Sequence, residues 1–547
     1  MRQKQLRGSA GQAARILAIG VSVGALGACD SLLEVELPHI LTDEAISNIS
    51  SAQIQVNSAQ ALFECGASSM SWIAMGHEDI FESVAGVAGG AHVFLGTPGT
   101  GTCDSAQSNG SFFDQFMGTR QLISTDPAKL GNSGGSSAIK GIYDRLIDDG
   151  WMGQITGGER LAAIAAVYGA EALGHFAQYY CEGTFDAGRF MTADELNAVA
   201  QDWVTNRALV HITNVGDFAM PNGASSSAQR MALGLRAQLR LAAGDLAGAN
   251  ADAQTILGAA ATFAAYATRE SGSQRRNKVY DAGTAVAFSG MIGVNTWWGG
   301  PSRNPNPATG TTWPNTIPFT GYIFLGVMPD GRTLEASNVA VRWASEIRSI
   351  TEAPVSLGNG AVVDTRVPHI FKSTQGPAKR EVPNEFTTVD TDIPLVTFRE
   401  LQLIRARYEN EVVNTPASRQ IAINIINTLR PAAVPDIDAT YGATLTASQA
   451  AMRLVILEEA RRELYGGEYG RWWQWKIQHT DLMWFPRFEG FVPSGYRYQG
   501  GVRLAFPVDE YDRNPAFVAL GGRDARGSGC SAVGAGLPAD VSERPRF

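Results

Sequence analysis

The chain has little charge and few of the residues that build metal or redox centres. Asp, Glu, Lys and Arg together make up 18% of its 547 residues, and there are only 7 histidines and 5 cysteines. No CxxC motif and no Cys/His pair has the spacing of metal ligands, and nothing in the sequence calls for a cofactor. Basic residues are scattered rather than striped, and the formal net charge is −9. That balance argues against nucleic acid or other polyanions as main partners. After the first 28 residues no stretch approaches eighteen unbroken apolar residues, so no later segment reads as a membrane span. What is there, with 44% hydrophobic residues, is a globular chain long enough for a large core.

The beginning of the chain carries the sharpest local signal. Arg2, Lys4, Arg7 and Arg15 precede an apolar run from Ile16 to Leu26, and Leu26-Gly27-Ala28-Cys29 follows. A basic region, a short apolar region and small residues form a secretory signal. A cysteine directly after them is similar to a bacterial lipoprotein signal, which predicts cleavage before Cys29 and lipidation on it. Several acyl chains on one residue suffice for stable anchoring, so the mature chain is expected at a membrane outside the cytoplasm. Cys65, Cys103, Cys181 and Cys530 remain, an even number that permits two disulfides in three connectivities. A Cys65–Cys103 bridge is expected, because a loop-rich stretch between them gains from a staple.

Helical periodicity dominates three regions. Met231, Leu235 and Leu239 repeat every four residues, Gly244 stops that helix, and Asp245 caps a second one bearing Leu246, Ala249, Ala253 and Ile256. Two short helices joined by Gly-Asp read as a tetratricopeptide-type unit. An Ala-rich helix over 158–180 ends in Phe176, Tyr179 and Tyr180. Two helices are expected over 397–430, broken near Asn414 to Pro416, and another from about Ser448 to Tyr465. Such pairs bury their faces only against neighbours, so they should stack into one scaffold. The stretches 84–140 and 268–395 are instead rich in Gly, Pro, Ser, Thr and Asn, and insertions of that kind are usually functional surfaces.

The C-terminal third points to a family. Arg399-Glu400-Leu401, Leu403-Ile404-Arg405-Ala406 and Ile426-Asn427-Thr428-Leu429-Arg430 come first. Arg461-Arg462-Glu463-Leu464, Gly470-Arg471-Trp472-Trp473, Ala505-Phe506-Pro507-Val508-Asp509-Glu510 and Asn514-Pro515 follow in order. With Gly158-Glu159-Arg160 and the lipoprotein start, this set resembles the SusD/RagB family of outer-membrane nutrient-binding lipoproteins over essentially the whole mature chain. The resemblance implies a mainly α fold, a SusD-like scaffold of four tetratricopeptide-type helix pairs with long irregular insertions on one side. It also implies a lid-like role over a SusC-like TonB-dependent transporter, capturing oligosaccharides or, in some branches, peptides. The implied organisation is a signal peptide over 1–28 and a single domain over 29–547. Within that domain 29–42 is a tether, the scaffold lies mainly in 43–83, 158–257 and 397–480, and the insertions are 84–140 and 268–395. Ala406-Arg407-Tyr408 stands where the family usually has Ala-Glu-Ala, which predicts different packing of that helix.

Neutral glycans are bound by flat aromatic faces and by amides that reach hydroxyls. Asn295, Trp297, Trp298, Trp313 and Tyr322 fall in one Gly/Pro-rich insertion and are the ligand-binding candidates, with Trp72 in the N-terminal helical region beside them. Core packing is the competing reading for each ring. For Glu463 with Arg461 and Arg462, and for Trp472-Trp473, the structural reading is the stronger one. Catalysis finds little support. Gly131-Asn132-Ser133-Gly134-Gly135 matches GxSxG but sits in a flexible run rather than between strand and helix. His77-Glu78-Asp79 lacks the second histidine of HExxH. The expected function is non-catalytic capture of glycan-type nutrients. A peptide ligand, a secreted polysaccharide hydrolase and a purely structural assembly subunit are the alternatives.

Overall fold

The computed structural model of the chain describes residues 46–78, 81–83, 112–131, 139–272, 275–280, 292–294, 347–348, 362–363, 366, 369–372, 380–383, 385–432, 436–466, 468–479, 490–491, 496–497, 503–504 and 506–522. Two units divide at Ala52. In the first, Met1–Ala52, the described part is a short 3-10 turn at Ile49–Ser51 capped by Asn48. The second, Gln53–Phe547, holds the fold.

Four helix pairs follow one another along this body among the described residues. Helix α1 (Ala52–His77) precedes strand β1 (Phe81–Ser83), helix α2 (Phe112–Ile123) and the short α3 (Ile142–Asp148). The first pair is α4 (Gly158–Tyr179) with α5 (Ala193–Asp202), separated by the strands β2 (Glu182–Gly183) and β3 (Met191–Thr192). Thr192 and Glu195 form a reciprocal capping box that starts α5, which runs through a π turn (Trp203–Ala208) into α6 (Leu209–Val215). The second pair is α7 (Ala228–Ala242) and α8 (Leu246–Ala259). Gly244 at φ +79° ends α7, and the Asp245 carboxylate accepts from the Gly248 N–H at 2.8 Å to begin α8, as the Gly-Asp pattern predicts.

Strand β4 (Ala264–Ala267) opens the long insertion. Within it the short strands β5 (Ile292–Val294), β6 (Ile347–Arg348), β7 (Val362–Val363), β8 (His369–Lys372) and β9 (Arg380–Pro383) are described. Strand β10 (Ile393–Thr397) closes the insertion by pairing antiparallel with β4, with a register shift between Pro394 and Val396. The chain then re-enters the scaffold as α9 (Phe398–Tyr408) and α10 (Pro416–Leu429), broken by a π turn at Glu409–Val413 and Asn414 in the left-handed region. Thr415 and Pro416 start α10 as expected. The fourth pair is α11 (Asp438–Ala447) and α12 (Gln449–Glu463), the latter capped by Ser448, and α13 (Arg471–Ile477) follows. The pairs pack in series: α4 on α7, α8 on α9, α10 on α11.

Two features differ from the sequence reading. Residues 84–140 contain a regular helix, α2, packed on α4, where a loop-rich stretch is expected. Its Phe113 and Phe116 are buried against the aromatic end of α4, with Phe116 stacked 3.7 Å from His175, so tertiary packing supplies what the Gly/Ser-rich flank conceals. Helix α11 also escaped periodicity, being built from Ala, Thr and Gly. Arg407, at the departure from the family pattern, is buried, bonded to Glu411 at 2.9 Å and Gln478 at 2.7 Å, and lies over the Trp475 ring.

Close approach of α7 to β10 depends on Gly234, where a Cβ would lie 2.6 Å from Val396 Cγ1. Gly234→Ala should destabilise the protein by about 1–3 kcal/mol, read from denaturant unfolding, through forced displacement of that strand. An unchanged midpoint would show that β10 gives way freely. Cys65 and Cys181 are each disulfide-bonded, while Cys103 and Cys530 lie outside the described residues. Peptide mapping without reduction is expected to join Cys65 to Cys103 and Cys181 to Cys530; a Cys65–Cys181 peptide would contradict that pairing.

Candidate functional site

The aromatic ligand candidates enter the structure through their flanking backbone. Asn295, Trp297, Trp298, Trp313 and Tyr322 lie outside the described residues, as does Cys29. Strand β5, which ends one residue before Asn295, pairs antiparallel with β1 in the register Phe81↔Val294, Glu82↔Gly293 and Ser83↔Ile292. Strand β5 also lies beside β9, which pairs antiparallel with β8 from His369↔Pro383 to Lys372↔Arg380. On the far side of segment 295–346, β6 pairs parallel with β7. The aromatic segment is therefore rooted at both ends in strands. Trp72, in α1, is only 6% exposed and belongs to the core of that helix.

Near these roots the scaffold interior is unusually ionic. Glu458 and Glu459 are fully buried on α12, and Arg461, Arg462 and Glu463 are nearly so. Glu458 takes Arg461 through both carboxylate oxygens at 2.7 Å and Arg462 at 2.8 Å. Glu459 takes Arg430 at 2.7 and 2.9 Å and Arg366, from the insertion, at 2.5 Å. Glu463 takes the same Arg366 nitrogen at 2.7 Å and Arg399 at 3.4 Å. Farther in, Arg471 meets Glu400 at 2.8 and 2.9 Å and Gln178 at 2.5 Å, and Trp475 donates to Glu400 at 3.1 Å. The Trp473 N–H donates to Glu78 at 3.2 Å. Trp472, Trp473 and Trp475 are buried, so these motif residues build the scaffold, as the structural reading expects.

Burial sets the protonation of this interior. It pushes Glu463 up to about 6 although Arg366 opposes it, and pushes Glu468 up to about 8 against Arg399. Glu385 is also raised well above the ordinary range by burial and by neighbouring Glu468. Glu459 is buried too, but Arg366 and Arg430 overcome that and hold it below the usual value. In the Ala-rich helix α4, burial takes Glu171 to about 8, again against a nearby arginine, Arg471. The raised carboxyls share one cause, burial among packed elements of the scaffold and the insertion.

Two other constellations resemble chemical sites. Tyr143 Oη lies 2.9 Å from His211 Nε2, and His211 Nδ1 lies 2.8 Å from Glu159 Oε1. The phenol is buried and pushed up to about 12, away from a nucleophile's range, and the trio ties α3, α4 and α6 together. Asp126, Asp144 and Asp148 form a three-carboxylate cluster of metal-ligand size. The Lys129 ammonium occupies it, at 2.7, 3.2 and 2.6 Å from the three. An internal cation thus meets that negative charge. The GxSxG serine, Ser133, lies outside the described residues. Arg366, Glu385 and Glu468 were missed by sequence reading, since no motif links residues so far apart in the chain.

Raised carboxyl values make stability depend on pH with a definite sign. Between the ordinary carboxyl value of 4.5 and about 8, Glu171 and Glu468 bind protons in the folded state that they release when unfolded. Their contribution is present below about pH 4.5 and lost as pH rises through 8, by up to ~1.4 kcal/mol per unit per group. The thermal midpoint should therefore fall between about pH 5.5 and pH 8.5, and Glu171→Gln should flatten the slope. A midpoint that rises across this window would contradict the assignment.

No protein-family model matches the chain, and no curated protein matches it. Among solved structures it is similar to a SusD superfamily protein from Bacteroides vulgatus ATCC 8482, with 11% identity and a TM-score of 0.52, over 86% of this chain and 97% of that one. It is also similar to a SusD/RagB family protein from Bacteroides thetaiotaomicron VPI-5482, at 12% identity and TM-score 0.46, over 91% and 99%. A SusD-like carbohydrate binding protein from Bacteroides vulgatus ATCC 8482 matches at 13% identity and TM-score 0.45, over 77% and 82%. The first likeness shows that this chain has the SusD-like fold: mainly helical, with irregular segments set into a helix-pair scaffold.

Proposed function

We propose that this chain is a SusD/RagB-family surface lipoprotein, anchored through Cys29 in the outer membrane. In this reading it captures glycan-type nutrients without catalysis and delivers them to a SusC-like TonB-dependent transporter. The observation that carries the reading is the SusD-like fold spanning most of the chain, and the basic and then apolar run ending in Leu26-Gly27-Ala28-Cys29, which resembles a lipoprotein signal, supports it. No helix among the described residues is long and apolar enough to cross a membrane.

The ligand class is argued from chemistry. Trp297, Trp298, Trp313 and Tyr322 offer rings to sugar C–H faces, with Asn295 to meet hydroxyls, in an insertion whose ends are held by strands. A net charge of −9 suits neutral glycans better than acidic ones.

The test is binding of a soluble form lacking residues 1–29 to starch, xylan, laminarin, pectin and a mixed tryptic peptide pool, by affinity electrophoresis and calorimetry. Retention by one glycan class is expected. Trp297→Ala or Trp298→Ala should then weaken that binding about tenfold, roughly 1.4 kcal/mol, with the helical circular dichroism unchanged. Binding of peptides alone would move the chain to a peptide-uptake role. Release of reducing ends from any polymer would overturn the non-catalytic reading.

A further inference from the structure

We infer that Arg366 is a positioning residue that clasps the irregular insertion onto scaffold helix α12 and so fixes the strands from which segment 295–346 departs. Its functional meaning rests on the proposed capture role, but the clasp itself does not.

Arg366 stands between β7 and β8 and is buried as a side chain, 7% exposed. One of its guanidinium nitrogens bridges two carboxylates a helical turn apart on α12, Glu459 at 2.5 Å and Glu463 at 2.7 Å. The strands on either side of it lead to the two ends of the aromatic segment. Upstream, β7 pairs with β6, which follows residue 346. Downstream, β8 pairs with β9, and β9 lies beside β5, which precedes Asn295. A displacement at Arg366 therefore reaches both ends of that segment through paired backbone.

Charge balance makes the clasp separable from scaffold stability. With Arg366 removed, Glu459 keeps Arg430 at 2.7 Å and Glu463 keeps Arg399 at 3.4 Å. Neither carboxylate is left without a cation, so the uncompensated buried charge that makes breaking such a pair strongly destabilising does not arise.

Hydrogen exchange on the whole mature chain, in the absence of any ligand, tests this in Arg366→Ala and Glu463→Gln. Exchange over 362–383 is expected to rise about tenfold or more in Arg366→Ala and by less in Glu463→Gln, while peptides from 158–179 and 228–259 stay within about twofold. Combining the two changes should give less than the product of their separate effects, because they act through one contact. Arg366→Lys should restore protection only in part, since an ammonium lacks the planar fork. Unchanged exchange over 362–383 would overturn the clasp, and an equal rise in the scaffold peptides would reduce Arg366 to general stability. Where Arg366→Ala fails to fold, the same comparison in Glu463→Gln decides. Failure of every glycan to bind would count against the capture role and leave this result untouched.

Discussion

The Glu400 carboxylate and the Arg471 guanidinium meet in the interior, and the placement of four helices follows from satisfying them. Taking both charges out of water costs several kcal/mol, offset only if the remaining donors and acceptors are also met. Glu400 accepts from Arg471, from Trp475 and from Gln238 at 2.8 Å, and Arg471 donates onward to Gln178. These residues sit on α9, α13, α7 and α4. Gln238 also donates to the Leu395 carbonyl at 2.8 Å, which ties strand β10, the end of the insertion, to the same centre. A shift of any one of these helices would leave a buried charge or amide unmatched.

Around that centre buried carboxylates are handled in two ways: some are held as ions by arginine, and others are shifted by burial toward the protonated form. Glu458 and Glu459 take the first course; Glu171, Glu385 and Glu468 are pushed toward the second. The aromatic core works alongside. Phe63, Phe116, Tyr168 and His175 pack between α1, α2 and α4, and Tyr469, at φ +52°, is held in the left-handed region by Tyr179, whose hydroxyl donates to its carbonyl. Rigid packing of this kind suits a frame that must hold irregular segments in fixed relation.

How much of this was legible in the sequence depended on the range of the interaction. Gly244-Asp245, Thr415-Pro416 and Ser448 are local signals, and each marks a helix boundary in the structure. The ordered motifs Arg399-Glu400-Leu401 and Gly470-Arg471-Trp472-Trp473 could be recognised as a set, but their physical link, an ion pair across 71 residues, could not. Helix α2 was hidden because its stability comes from Phe113 and Phe116 packing on α4 rather than from its own pattern. Arg366 sits in a stretch with no periodicity at all, and its partners on α12 are 93 and 97 residues away. The rings Trp297, Trp298, Trp313 and Tyr322 were legible as a composition, and the strands that flank their segment emerge only from the pairing of β5 with β1 and of β6 with β7.

The Arg, Glu and Trp motifs build the frame, and under the proposed function the aromatic insertion meets the ligand, a division of labour. Its most direct test is calorimetric titration of Arg471→Lys with the polysaccharide that the unaltered chain retains, alongside its thermal midpoint. A markedly lower midpoint is expected, because lysine cannot reproduce the two-pronged contact with Glu400, together with an unchanged affinity for the folded fraction. An affinity lost at an unchanged midpoint would place Arg471 in the binding site and contradict the division.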